Sequence, residues 1–151
     1  MVSRLSSSVL AGAVLACGDG TGPGNGLTLA NLAGTWTATE ISVTNNLDPS
    51  LVEDLHALGV RLQMVIEADG AFEVEFSNPI GSDTYGGMLT VEDGLLIMAR
   101  ADDPAERLSI EAVLDGDGLT MAWEATEQCG SYGWQAATCP IPVTFSLTLE
   151  R

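Results

Sequence analysis

A strict two-residue periodicity governs this chain. Apolar side chains recur at every second position in run after run, so each run has one face for a core and one for water. Val60, Leu62, Met64 and Ile66 alternate with Arg61, Gln63, Val65 and Glu67, and Phe72, Val74 and Phe76 alternate with Glu73, Glu75 and Ser77. The pattern continues through Tyr85, Gly87, Leu89 and Val91, then Leu108, Ile110, Ala112 and Leu114. Leu119, Met121, Trp123 and Ala125 form a further run, and Val143, Phe145, Leu147 and Leu149 the last, while residues 95–99 are apolar at both parities. A helix, with its period of about 3.6, cannot place such a series on one face; strands can.

The runs are separated by turn chemistry. Asp69-Gly70, Glu92-Asp93-Gly94 and Asp115-Gly116-Asp117-Gly118 are hairpin signals, because glycine reaches positive φ without strain. A looser turn holds Asn78-Pro79 and Gly81-Ser82-Asp83, and Asp102-Asp103-Pro104 ends the strand before it. With a first strand over about 35–44, eight strands are expected. One helix is expected over 49–58: Asp48 offers a capping oxygen, Pro49 suits the first helical position, Leu51, Val52, Leu55 and Leu58 make a stripe, and Gly59 stops it. The fold class is therefore all-β, an eight-stranded antiparallel up-and-down barrel with one short helix between strands 1 and 2. Closure removes exposed edges and gathers the apolar faces inside. An open sandwich or a half-open barrel satisfies the same alternation.

The first residues do not belong to that pattern. Arg4 precedes an apolar stretch over 9–16, too short to span a bilayer, which takes about 20 residues. It ends in Val14-Leu15-Ala16-Cys17, which resembles a bacterial lipobox. The resemblance implies cleavage before Cys17, a diacylglyceryl group on its thiol, and an exported chain held at the cell envelope, on the outer-membrane or periplasmic side in a diderm bacterium. Each buried lipid CH₂ contributes about 0.8 kcal/mol, so several chains hold a protein on a membrane almost permanently. Five glycines and Pro23 over 18–26 suit a flexible tether. The expected division is a signal peptide over 1–16, lipidated cysteine and tether over 17–30, and a barrel domain over 31–151.

Asp and Glu number 21 against 5 Arg and no Lys, a formal net charge of −16. Such a surface repels phosphate backbones, so nucleic acid is excluded as a partner. Cys17 accounts for the odd cysteine of three; Cys129 and Cys139 form the expected disulfide of an exported chain, contributing about 2–3 kcal/mol in the chain-entropy model. With a lone histidine, His56, and no Cys-x-x-Cys, no metal is expected, and no cofactor either. No Gly-x-Ser-x-Gly or phosphate-binding glycine loop is present, and the Asp115–Gly118 turn lacks the spaced ligands of a calcium loop, so the reading is not an enzyme.

Gly34-Thr35-Trp36 at the start of the first strand resembles the lipocalin and lipocalin-like superfamily. The resemblance implies that Trp36 closes one end of the barrel and that a basic residue after the last strand packs across it. Arg151 has the inward parity of Val143, Phe145, Leu147 and Leu149 and fills that role. A second lipocalin motif of the Thr-Asp-Tyr type is absent, and a helix after strand 1 is closer to fatty-acid-binding proteins. Gly-Thr-Trp also occurs in the avidin family, without its biotin-contacting pattern here.

The expected interior comprises Leu62, Met64, Ile66, Phe72, Val74, Phe76, Leu89, Ile97, Ile110, Met121, Trp123, Phe145 and Leu147. As a pocket for a small hydrophobic ligand it would use Glu40, Met64, Phe72, Phe76, Tyr85, Met121, Trp123 and Phe145; as a packed core it would hold none. Glu40 shares the inward parity of Trp36 and Ala38 and suits a head group, but the apolar Ile41 and Val43 favour a bulge that turns it outward. Tyr132 and Trp134, in the loop 129–139, either contact a protein partner or fold back as a cap.

Overall fold

A computed structural model describes residues 26–128, 130–134 and 139–151. Cys17, the segment expected to be a signal peptide and most of the expected tether lie outside the described residues, as does Cys129, so the lipidation and the Cys129–Cys139 pairing stand as expectations. No helix among the described residues is long and apolar enough to cross a membrane.

The elements run α1 (Leu29–Leu32), β1 (Gly34–Asn45), β2 (Val52–Asp54), β3 (Arg61–Ile66), β4 (Ala71–Asn78), β5 (Gly81–Glu92), β6 (Leu95–Arg100), β7 (Arg107–Asp115), β8 (Gly118–Glu127) and β9 (Ile141–Glu150). Each long strand pairs antiparallel with the next, and β9 returns to β1 from Thr37–Glu150 to Asn45–Val143. Eight strands thus close an antiparallel up-and-down barrel, and β2 is an extra strip on β1. The hairpins sit where Asp-Gly pairs dictate: Asp93 at φ 52° and Gly94 at φ 82° join β5 to β6. Both central residues having positive φ matches the turn to strand twist.

The expected helix over 49–58 is not there. β3 pairs only with Gly34–Thr37 of β1, which leaves the far half of that strand with one free edge. Residues 52–54 fill it, pairing with Ser42, Val43 and Thr44. Asp48 Oδ1 accepts from Ser50 N and closes a local turn. Asp54 caps a single helical turn, with Ala57 N donating to its side chain and Leu58 N to its carbonyl. Satisfying a strand edge outweighs the weak helix propensity of ten residues.

The barrel is sealed at one end. Thr28 Oγ1 caps α1 by accepting from Asn31 N, and the one-turn helix drives Leu32, fully buried, into the core. Gly34 adopts φ 146°, a conformation only glycine takes without strain, while a β-carbon there would meet Arg151 Cδ at an ordinary 3.9 Å. The glycine of the Gly-Thr-Trp motif is therefore demanded by the backbone rather than by space. Trp36 is fully buried, its Nε1–H donating to Leu32 O at 2.7 Å. The Arg151 guanidinium lies 4.4 Å from the indole centroid and donates to Asn31 O.

Above that seal the centre is filled. Met64, Ile66, Val74, Leu89, Leu96, Ile110, Leu119, Met121 and Leu147 pack in one continuous cluster with Trp36 and Phe72. Gly87 faces Phe72 across the sheet, and a β-carbon on it would fall 2.0 Å from Ala99 O, so β5 and β6 approach here as only glycine permits. On β6 the inward residues are Leu96 and Met98; Ile97, expected inside, faces outward between Thr90 and Ser109. It is nonetheless buried, because the Arg107–Glu92 ion pair spans the register positions on either side of it. With residues 95–99 apolar at both parities, alternation could not select the face.

Candidate binding site

The open end of the barrel differs from the sealed one in how completely its inward side chains are covered. Leu62, Phe76, Tyr85, Leu108, Trp123 and Phe145 all point inward and pack on or beside the core, yet each remains only half-buried. Trp123 stacks on Phe145 with ring centroids 5.4 Å apart and planes 14° apart. Tyr85 meets Phe72 edge-on at 6.4 Å, and the Arg100 guanidinium sits 5.1 Å from the Tyr85 centroid. Burial pushes the Tyr85 hydroxyl above its ordinary pKa; Arg100 opposes that rise and Asp83 adds to it. Arg100 is itself held by Asp102 through two hydrogen bonds of 2.9 and 2.7 Å, which keep the Asp102 carboxyl below the usual range.

Beside this end the wall splits. β7 and β8 are paired only from Glu111–Ala122 to Asp115–Gly118. Residues 107–110 continue along β6 and residues 123–127 along β9, so the two strands part as a fork. A cleft of about 540 Å³ occupies it, lined by Leu108 and Trp123 from the inward faces and by Arg107, Ser109, Glu111, Glu124 and Thr144 among the outward ones. The volume lies within the range of small-molecule sites. Nothing in the alternation of 107–115 or 118–127 distinguishes the paired half of each strand from the unpaired half, so the fork is invisible in sequence.

The residues expected to form a pocket divide accordingly. Trp123 lines the fork with Phe145 stacked against it, and Phe76 and Tyr85 stand half-buried elsewhere at the open end. Met64, Phe72 and Met121 lie in the filled centre, 2%, 5% and 1% exposed, where no ligand can reach them without displacing core. Of the two alternatives for Glu40 the structure takes the bulge, not the head-group site: a bulge between Ala38 and Glu40 shifts the register and turns the carboxylate to the surface, where Thr148 Oγ1 donates to it at 3.1 Å. The extra residue restores the inward parity to Ile41 and Val43, both buried.

Residues 130–134, before β9, cover part of this end. Trp134 is 8% exposed and packs in a second cluster with Val43, Ile141 and Val143, against which Leu51, Leu55, Tyr132 and Phe145 lean. Tyr132 and Trp134 contact each other at 5.1 Å. The aromatics read as a possible partner surface are thus turned into the fold. Asn45, a buried polar residue at the end of β1 opposite Val143, accepts from Leu47 N and Asp48 N through Oδ1. Among the described residues no three His, Cys, Asp or Glu side chains converge to hold a metal.

No protein-family profile matches the chain, and no curated protein matches it. Among solved structures it is similar to that of apocrustacyanin C2, with a TM-score of 0.43 and 13% identity over 81% of this chain and 61% of the other. The chain therefore spans less than two thirds of the length of that protein.

Proposed function

We propose that this chain is a lipocalin-like binding protein which holds a small apolar ligand in the β7–β8 fork, and which works outside the cytoplasm tethered through a lipidated Cys17. The observation that carries the ligand reading is the contrast between a filled centre and the half-buried Trp123 and Leu108 in the wall. In a barrel with no room inside, exposed aromatic surface beside a cleft is where apolar contact remains to be gained. The anchor reading rests on the residue pattern at 9–17 and on the glycine-rich tether.

Both parts are testable on the full chain. Replacing Cys17 with Ala should move the protein from the membrane fraction to the soluble one; retention on the membrane would refute the anchor. Native mass spectrometry of protein extracted from its own membrane should show a bound small molecule that Trp123→Ala loses. A ligand-free protein that also fails to take up the neutral probe N-phenyl-1-naphthylamine would refute the binding reading. One observation favours an interaction module instead: Leu47, Val52, Leu58 and Ile80 stay exposed on β2 and the turns of the open end.

A further inference from the structure

We infer that the fork binds a hydrophobic organic cation, with a flat apolar group against Leu108 and Trp123 and a positive nitrogen between the carboxylates of Glu111 and Glu124. This rests on the fork being a ligand site and adds the charge of the occupant. Three independent features of the structure point to it.

The first is the placement of the acids. Glu111 lies on β7 where the fork begins, paired with Ala122, and Glu124 lies on the β8 arm, both exposed and both lining the cleft beside the indole. An ammonium group there gains from both carboxylates and from the aromatic face. The second is that the described arginines are already engaged. Arg61 donates to His56 O and Val60 O, Arg100 pairs with Asp102, and Arg151 covers Trp36. Arg107, the cation at the cleft, is bonded to Glu92 at 2.5 Å. A carboxylate or phosphate ligand would have to share Arg107 with Glu92 and sit beside two further acids. The third is the field of the whole chain, −16 with no lysine, which concentrates cations at the surface and repels anions.

The test uses three probes with one ring system: naphthylmethyl-trimethylammonium, naphthylmethanol and naphthoate. Binding to the full chain is measured by calorimetry and by the indole N–H resonance of Trp123, assigned with Trp123→Phe. The cation should bind on the order of tenfold more tightly than the neutral probe, with naphthoate weakest. The double variant Glu111→Gln with Glu124→Gln should abolish that advantage and leave naphthylmethanol unchanged. Added salt should weaken the cation alone. Equal binding of cation and neutral probe would overturn the charge inference while leaving the apolar site standing; binding of none would overturn both. Calcium ions occupying the fork without competition from the naphthyl cation would also overturn it.

Discussion

Replacing Trp36 with Ala should cost the barrel about 3–5 kcal/mol, the range for deleting a large buried aromatic, read as a fall in the denaturant midpoint. Trp36 is fully buried, its N–H satisfies Leu32 O, and its ring carries the Arg151 guanidinium. Removing it leaves a void beneath α1 and takes away the surface on which Arg151 rests. Domains of this size have about 5–15 kcal/mol of stability in all, so the variant should be near the limit of folding. Trp36→Phe separates the contributions: it keeps much of the packing and loses the hydrogen bond. Combining Trp36→Leu with Arg151→Met should give less than the sum of the two single losses, the shortfall being about 0.5–2 kcal/mol for the cation–aromatic contact. A Trp36→Ala barrel that unfolds within about 0.5 kcal/mol of the parent, the range for surface changes, would mean the seal is dispensable.

The second large effect is expected at the other end. Trp134→Ala should destabilise the protein by about 3 kcal/mol, the lower end of the range for a buried tryptophan because a loop can partly close the gap. The loss should be localised. Hydrogen exchange should speed up at Ile141, Val143 and Val43, which share a cluster with Trp134, and remain slow at Trp36 and Leu149 in the main core. A loop that instead serves a partner would give the opposite pair of results: unchanged stability and exchange, with loss of a bound protein. The hydroxyl of Tyr132, raised in pKa by burial and then by Glu127, supplies a further probe, since uncapping should return it toward its ordinary value.

Much of the architecture was legible without coordinates. Alternation plus Asp-Gly turns specified the long strands and their order, because a period of two and a two-residue loop leave antiparallel neighbours as the simple solution. The meeting of Trp36 and Arg151 was implied by the resemblance carried by Gly34-Thr35-Trp36, with the inward parity of Arg151 in agreement. Glu40 was half-legible: Ile41 and Val43 signalled the bulge, but only the register shift at Ala38–Glu40 established it. Ile97 was not legible, since its neighbours are apolar on both faces and the covering ion pair comes from two other strands. The site was less legible still. Trp123, Phe145 and Tyr85 were singled out as aromatics of inward parity, whereas Glu111, Glu124 and Leu108 acquired meaning only through the fork.

By itself the sequence determined what is local: which residues extend, which turn, which face of each strand is apolar, and where glycine is required by the backbone. Tertiary structure decided what depends on pairs of elements. It turned residues 52–54, in the middle of an expected helix, into an edge strip flanked by turns, because β1 had hydrogen-bonding groups to satisfy. It packed the barrel centre solid, because the summed volume of facing side chains is a property of eight strands together. It also opened the wall between β7 and β8, because strand pairing ends where neighbours diverge, and no single strand records where that happens.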